Sequence, residues 1–334
     1  MKRLLSVIIL VSIFALSSCE EDRVDPYYAY GTAMDTNVSI CIYGGNKNAA
    51  NSCLELLYDL EGQFSVTAKG SKLSALNRGE LVEDKGHFYT LCGLANEICT
   101  LTEGAYNPCV YPLVKLWGFT TGNYNVPSED KIAESIKLVN ESKIVFKQEG
   151  ICIEGDGAAD FGGIAKGYAS DVLREHLKSQ GVDGAVISLG GNIATVGSKP
   201  DGKKWSIGIN SPKGNGGLLG TLLLGECAVV TSGSYFRNFV ENGKFYHHII
   251  DPQSGEPADS GLVSVTVIAK DAALADGLST AFFVMGMENA KIVAESLDVE
   301  TVFVTENEIY VSSGLKEKFT PDSSVEGEYQ IIYN

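Results

Sequence analysis

The chain is poor in positive charge, in histidine and in the cysteine spacings that hold metals. Lys and Arg number 26 against 42 Asp and Glu in 334 residues, a formal net charge of −16. A surface of that sign repels phosphate backbones and excludes an ordinary nucleic-acid binder. Only four histidines occur, and none of the eight cysteines forms a Cys-x-x-Cys pair. Neither a zinc cluster nor a regular disulfide framework is indicated. No internal repeat and no Pro/Ser-rich linker divides the chain. Beyond the first twenty or so residues no apolar run is long enough to span a membrane. What is present is ordinary for a packed core: 44% hydrophobic and 20% charged residues, which excludes a disordered or low-complexity chain. The charge deficit sets one problem. An acidic protein accommodates an anionic ligand only where a metal or local amides supply positive charge.

The N-terminus reads as an address. Lys2 and Arg3 precede an apolar stretch from Leu4 to Leu16, then Ser17, Ser18 and Cys19. The stretch is short for a transmembrane helix and has the order of a secretory signal. Leu-Ser-Ser-Cys looks like a bacterial lipobox, with Cys19 as the lipidated mature N-terminus. The expected organisation is a signal peptide over 1–18, a lipidated Cys and tether over 19–28, one catalytic domain over 29–320 and a tail over 321–334. The expected location is the bacterial cell envelope, with the domain outside the cytoplasm and lipid attaching it to the inner or outer membrane. The other seven cysteines sit mostly among apolar neighbours and read as small buried hydrophobes, with one disulfide left open.

Periodicity predicts helices over Ala49–Leu60, Phe88–Thr102, Glu129–Leu138, Lys166–Ser179 and Ala272–Val284. It predicts strands over Val38–Tyr43, Ala185–Ser188, Trp205–Ile209, Leu219–Leu224, Val229–Ser232, Phe245–Ile250, Leu262–Ala269, Thr301–Thr305 and Glu308–Val311. A hairpin is expected over Ile144–Ile153 around Gly150. The fold class is mixed α/β, with layered sheets and packed helices.

Four segments concentrate the polar chemistry. Asp160-Phe161-Gly162-Gly163-Ile164-Ala165-Lys166 opens a helix with two glycines and a lysine, so amides, dipole and Lys166 favour a phosphate. The lysine lacks the following Ser/Thr of a Walker loop. Ser188-Leu189-Gly190-Gly191-Asn192 follows a strand without the spacing of a Rossmann turn, so that fold is rejected. Thr231-Ser232-Gly233-Ser234 with Arg237 offers hydroxyls to phosphate oxygens. Near it, His247 and His248 point to opposite faces if they lie on a strand, so only one enters a given site. Finally, Asp276 and Thr280 stand at i and i+4 on an apolar helix and share a face. A carboxylate and a hydroxyl are hard ligands suited to Mg²⁺.

In family order these motifs resemble the ApbE family of FAD:protein FMN transferases. Gly31-Thr32-Ala33-Met34, Phe64-Ser65, Ser71 to Asn77, Gly104-Ala105-Tyr106-Asn107-Pro108 and Pro112 to Phe119 join the four segments above. The resemblance implies FAD contacts at Met34, Ala105, Tyr106, Asn107, Asp160, Lys166 and Ile250, with Ser232, Gly233 and His248 beside them. It implies a Mg²⁺ site from the Gly163 carbonyl, Asp276 and Thr280, joined by Ser279. It implies cleavage of FAD, release of AMP and attachment of FMN to a Thr or Ser of an exported target, such as a subunit of a membrane redox pump or a flavin-carrying reductase. His248 is the candidate base, with Lys166 and Asp276 offsetting or organising charge. Two positions depart from the family. Thr67 stands where an aromatic residue usually follows Phe-Ser near the flavin, and Asn107 replaces a common Asp. The first favours an alternative, hydrolysis of FAD to FMN and AMP; a second alternative is a non-enzymatic FAD-binding lipoprotein.

Overall fold

The computed structural model describes residues 25–213 and 216–334. Cys19 and the proposed signal lie outside the described residues. In chain order the elements are β1 (Tyr27–Ala33), β2 (Thr36–Tyr43), α1 (Asn48–Phe64), α2 (Lys72–Asn77), α3 (His87–Leu101), α4 (Tyr111–Leu116) and α5 (Glu129–Asn140). Then come β3 (Lys143–Lys147), β4 (Gly150–Glu154), α6 (Ala165–Ser179), β5 (Gly184–Leu189), β6 (Asn192–Gly197), β7 (Trp205–Asn210) and β8 (Leu218–Leu224). They are followed by β9 (Ala228–Gly233), β10 (Asn238–Glu241), β11 (Lys244–His247), β12 (Ser264–Ala269), α7 (Ala272–Met285) and α8 (Met287–Ser296). The chain closes with β13 (Glu300–Val304), β14 (Glu308–Val311), β15 (Phe319–Pro321) and β16 (Gln330–Tyr333). No described helix is long and apolar enough to cross a membrane.

A nine-stranded sheet in the order β1-β2-β5-β6-β9-β12-β13-β14-β16 forms the middle layer. Its pairs are antiparallel except β14 with β16. Side-chain alternation divides its two faces. Ile40, Ile42, Ile187, Val230, Val265 and Val267 face the core shared with α1, α3, α6 and α7. Val229, Ile268, Val302 and Val304 face the other way, against Trp205, Ile207, Leu219 and Leu222 of the small sheet β7-β8-β15. A third core, around Leu113, Trp117, Phe119 and Tyr246, joins α4 and α5 to the β10–β11 hairpin. The mixed layered class expected from sequence is the one found.

Four expectations are corrected. The strand foreseen to Ile250 ends at His247. Asp251-Pro-Gln-Ser-Gly turns back on itself through Gly255 N–H to Asp251 O (2.8 Å) and Asp251 N–H to Glu256 O (2.9 Å), leaving Ile250 a single bridge to Pro257. The Ile144–Ile153 hairpin turns at residues 148–149, and Gly150 already opens β4. Strand β12 begins at Ser264, not Leu262. Residues 321–334, foreseen as a tail, carry β16, which joins the sheet beside β14 because Ile331 aligns with buried Ile309. All seven described cysteines are free. Cys53, Cys92, Cys109 and Cys227 are buried, and burial pushes their thiols well up, as inert hydrophobes require.

Helices α6 and α7 cross closely because Gly167 lacks a side chain. A methyl group there would run into the Ala272 carbonyl and lie 2.6 Å from Asp276 Cβ. The sheet's one end gathers the β1–β2 turn at Met34-Asp35, the β5–β6 turn at Gly190-Gly191 and the last residues of β9. Gly190 N–H bonds Asn37 O at 3.0 Å, locking two of these turns together. Gly167→Ala should lower stability by about 1–3 kcal/mol through overpacking. Urea unfolding of the two proteins checks this; an unchanged midpoint at equal m-value would contradict the close crossing.

Candidate active site at the α6 N-terminus

The site is assembled around one buried carboxylate. Asp276 is 3% exposed. Its Oδ2 accepts the Gly167 N–H at 2.8 Å, in the first turn of α6, and its Oδ1 accepts Asn192 Nδ2–H at 3.0 Å. Lys166 Nζ stands 4.0 Å from Oδ2 and donates to Gly162 O at 3.0 Å. Helix α6 has no side-chain cap of its own, so Asp276 supplies the negative group that its N-terminal amides and dipole favour. The relation is reciprocal. Asp171 of α6 accepts N–H groups of Ala272 and Ala273 at 2.9 and 2.8 Å, capping α7.

Three hydroxyl oxygens cluster along the same stretch of α7. Ser279 Oγ lies 2.8 Å from Ser232 Oγ, and Thr280 Oγ1 lies 3.4 Å from the same oxygen. Ser279, not Thr280, makes the helix-internal bond, to Asp276 O at 2.9 Å. Gly163 is packed beneath: a methyl group on it would meet Thr280 Oγ1 at 3.1 Å and Tyr106 Cε2 at 3.3 Å. Among the described residues no group of three or more His, Cys, Asp or Glu could hold a metal ion. The donor set is therefore one carboxylate with several neutral oxygens. That composition suits a hard cation which keeps positions for ligand phosphates and water.

Positive charge and a base lie alongside. Asp160 accepts Gly162 N–H at 2.6 Å. Its side chain keeps some contact with solvent, yet burial pushes its carboxyl up, opposed by that hydrogen bond and by the charges of Arg237 and Lys166. His248 bonds through Nδ1 to Arg237 O at 3.2 Å. A carbonyl can only accept, so Nδ1 carries the proton and Nε2 is left as an unprotonated acceptor. Burial, then the charges of Arg237, His247 and Lys166, push His248 down to about 3. Phe119 packs edge-on to its ring. His247 is different: it bonds Ala258 O at 3.1 Å and accepts Ile249 N–H at 3.3 Å, so both its nitrogens are used. The two histidines have different partners, although His248 lies just beyond the end of β11, and among the described residues only His248 of the pair keeps a ring nitrogen without a hydrogen bond.

The Ala105-Tyr106-Asn107 segment borders the site because Asp160 N–H donates to Pro108 O at 2.8 Å. Asn107 Oδ1 accepts Cys109 N–H at 2.8 Å, an Asx turn that an Asp would form equally. Tyr106 is 4% exposed, and its hydroxyl makes no hydrogen bond within the described residues. Burial, then the Asp160 and Asp276 carboxylates, raise its pKa. Such an unpaired buried hydroxyl costs about 1–3 kcal/mol. Met34 lies in the β1–β2 turn at φ 51°, unusual for its type, with its N–H held by Glu61 Oε1 at 2.7 Å. Gly233 ends β9 against the Tyr235 ring. Thr67 is on an exposed turn with Ser65 (3.2 Å), and the Ile250 side chain belongs to the third core; among the described residues neither has a hydrogen bond or ion pair to the Asp276 cluster.

Sequence reading missed Asn192 and Asp171 as structural partners of the site. Each acts on a residue more than 80 positions away, so nothing local distinguishes it from a solvated polar residue. Asn77 was part of a motif without a role. Its amide both donates to Ala159 O (2.8 Å) and accepts Ala159 N–H (2.7 Å), clamping the backbone just before Asp160.

A largely antiparallel sheet whose one end meets an oxygen cluster at a helix N-terminus, with a lysine and a neutral histidine nearby, is an α/β arrangement other than a dinucleotide-binding Rossmann crevice. The chain belongs to the ApbE family, whose model matches residues 34–303. A relative from Klebsiella pneumoniae, an FAD:protein FMN transferase, is 31% identical over 93% of this chain and 98% of its own length. One of the same name from Vibrio cholerae is 30% identical over 93% and 97%. Among solved structures, the ApbE protein of Thermotoga maritima aligns with a TM-score of 0.79 at 32% identity, covering 92% of this chain and all of that one. The Vibrio cholerae flavin transferase ApbE gives 0.75 at 28%, covering 91% and 99%.

Both histidines are held neutral in the fold. Between the ordinary value near 6.5 and the lowered folded values, the unfolded chain binds protons that the folded chain refuses. Stability therefore rises with pH in that window, each histidine contributing up to about 1.4 kcal/mol per pH unit. Urea midpoints at pH 7.5 and 5.0 should show the loss on acidification, and His248→Gln should reduce it; an equal loss in the variant would contradict the assignment.

Proposed function

We propose that this chain is a Mg²⁺-dependent FAD:protein FMN transferase. The observation that carries the reading is the Asp276–Ser279–Thr280–Gly163 oxygen cluster at the N-terminus of α6, beside Lys166. Family membership and the names of the relatives support it. Gly163 O, Asp276 and Thr280, with Ser279 next to them, would hold Mg²⁺, which when bound neutralises pyrophosphate charge. Lys166 and the positive end of the α6 dipole bind the phosphates, and Arg237, whose charge is felt at Asp160, adds to them. Neutral His248 accepts the proton of the acceptor hydroxyl at Nε2. That oxygen bonds to the FMN phosphorus, the P–O bond to the AMP phosphate breaks, and AMP leaves. Met34, Ala105 to Asn107, Asp160, Ser232, Gly233 and Ile250 complete the FAD site, with Thr67 at its flavin side.

The acceptors are exported proteins bearing a Thr or Ser, subunits of membrane redox pumps or flavin-carrying reductases among them. The enzyme meets them from the cell envelope, tethered by lipid on Cys19. The basic-apolar-Cys order of residues 2–19 supports the tether. Labelled palmitate should be incorporated into the full chain and not into Cys19→Ser.

Incubation with FAD and Mg²⁺, with and without an acceptor protein, tests the chemistry by reading AMP and protein-bound flavin together. Asp276→Ala should lose at least about 100-fold in AMP release, and His248→Ala about 10²–10⁴-fold in transfer while FAD still binds. AMP and free FMN with no flavin on a competent acceptor would make the chain an FAD pyrophosphatase. No AMP at all, and no effect of Asp276→Ala, would leave a flavin-binding lipoprotein.

A further inference from the structure

The Tyr106 hydroxyl is one of five buried side-chain polar atoms without a hydrogen-bond partner among the described residues, and it lies at the oxygen cluster. The phenol is 4% exposed and its oxygen has no hydrogen-bond partner within the described residues. The residue cannot swing away. Its N–H donates to Thr102 Oγ1 (3.2 Å), which in turn donates to Ile98 O (2.7 Å). Pro108, two residues on, is tied to Asp160. The ring edge lies against Gly163, the same glycine whose other neighbour is Thr280 Oγ1. Phenylalanine would fill this space without an unpaired oxygen, so the sequence retains a costly group at the oxygen cluster.

We propose that Tyr106 is a phosphate-positioning residue, its O–H donating to an anionic oxygen of the pyrophosphate seated against Gly163 and Thr280. The inference rests on the FAD reading and deepens it: recognition by this phenol is of the phosphate bridge, not of the isoalloxazine ring. A phenol is a neutral donor, so it adds a directed hydrogen bond to the anion without another charge competing for Asp276.

The test is Tyr106→Phe in the full chain. Without ligand, its urea midpoint should equal or exceed that of the parent, because the change removes an unpaired hydroxyl at constant shape. With Mg²⁺, affinity for inorganic pyrophosphate should fall on the order of 10- to 100-fold, as expected for one hydrogen bond to a charged group. Affinity for riboflavin, which has no phosphate, should be unchanged. Unchanged pyrophosphate affinity overturns the proposal, as does an equal loss for riboflavin, which would place the hydroxyl in the flavin pocket. A less stable variant overturns it too, since the hydroxyl would then have a structural partner. If the parent chain fails to cleave FAD, the functional reading falls, and the pyrophosphate comparison still reads on Tyr106.

Discussion

The exchange of carboxylates between α6 and α7 is the constraint on which the site depends. Each helix begins without a side-chain cap from its own sequence, and each is capped by an aspartate of the other. The exchange works only if the helices cross closely, and Gly167 is what allows it. It fixes the relative height of the two helices. Lys166 and Gly163 on one side, and Ser279 and Thr280 on the other, therefore meet at one level. Asn192 then ties the shared carboxylate to the end of the sheet. A helix terminus, a helix face and a β-turn are held by one residue's two oxygens.

The problem of charge is likewise settled locally. With 42 acidic side chains against 26 basic ones, the surface opposes anions at long range. Screening confines that opposition to about 8 Å at physiological ionic strength. Inside the pocket the local terms dominate: an α-helix N-terminus, Lys166 and Arg237 on one side, and the two carboxylates Asp160 and Asp276 on the other. Neutral His248 adds no charge in the physiological range, held so by burial and by the cations next to it. A base flanked by cations is a weak one, but unprotonated it could take up a hydroxyl proton in the proposed transfer.

The parts legible in the sequence were those with short-range patterns. The i, i+4 spacing of Asp276 and Thr280 and the double glycine before Lys166 are local, and the structure brings them together. The resemblance to the ApbE family drew its strength from the order of such local motifs. What was not legible depends on contacts between distant segments. Asn192 has no local reason to bond Asp276, nor Asp171 to cap α7. The end of β11 was missed because Tyr246 to Ile250 is continuously strand-like in composition, while the turn at Asp251 to Gly255 that stops it is set by its own hydrogen bonds. Strand β16 was missed because four residues give too short a pattern without the partner β14.

The proposed reaction places opposite demands on this pocket. Transfer to a protein hydroxyl requires the phosphorus to be open to a large nucleophile, and water is a smaller one at far higher concentration. The structure offers little enclosure at the Thr67 turn, which is exposed. Discrimination must then come from orientation rather than from a closed lid. An anion gripped at a single point can rotate, and a rotated phosphorus presents the wrong face to an acceptor at His248. In the proposed reaction Lys166 and the oxygen cluster would hold the phosphates from the helix side, and Tyr106 stands against Gly163 from the α3 side. Grip from two directions fixes the line along which the leaving phosphate departs, and in-line geometry then favours a nucleophile delivered at His248 over water arriving from elsewhere. On this argument the unpaired phenol is the part of the pocket that exchanges stability for orientation, a trade that active sites commonly make.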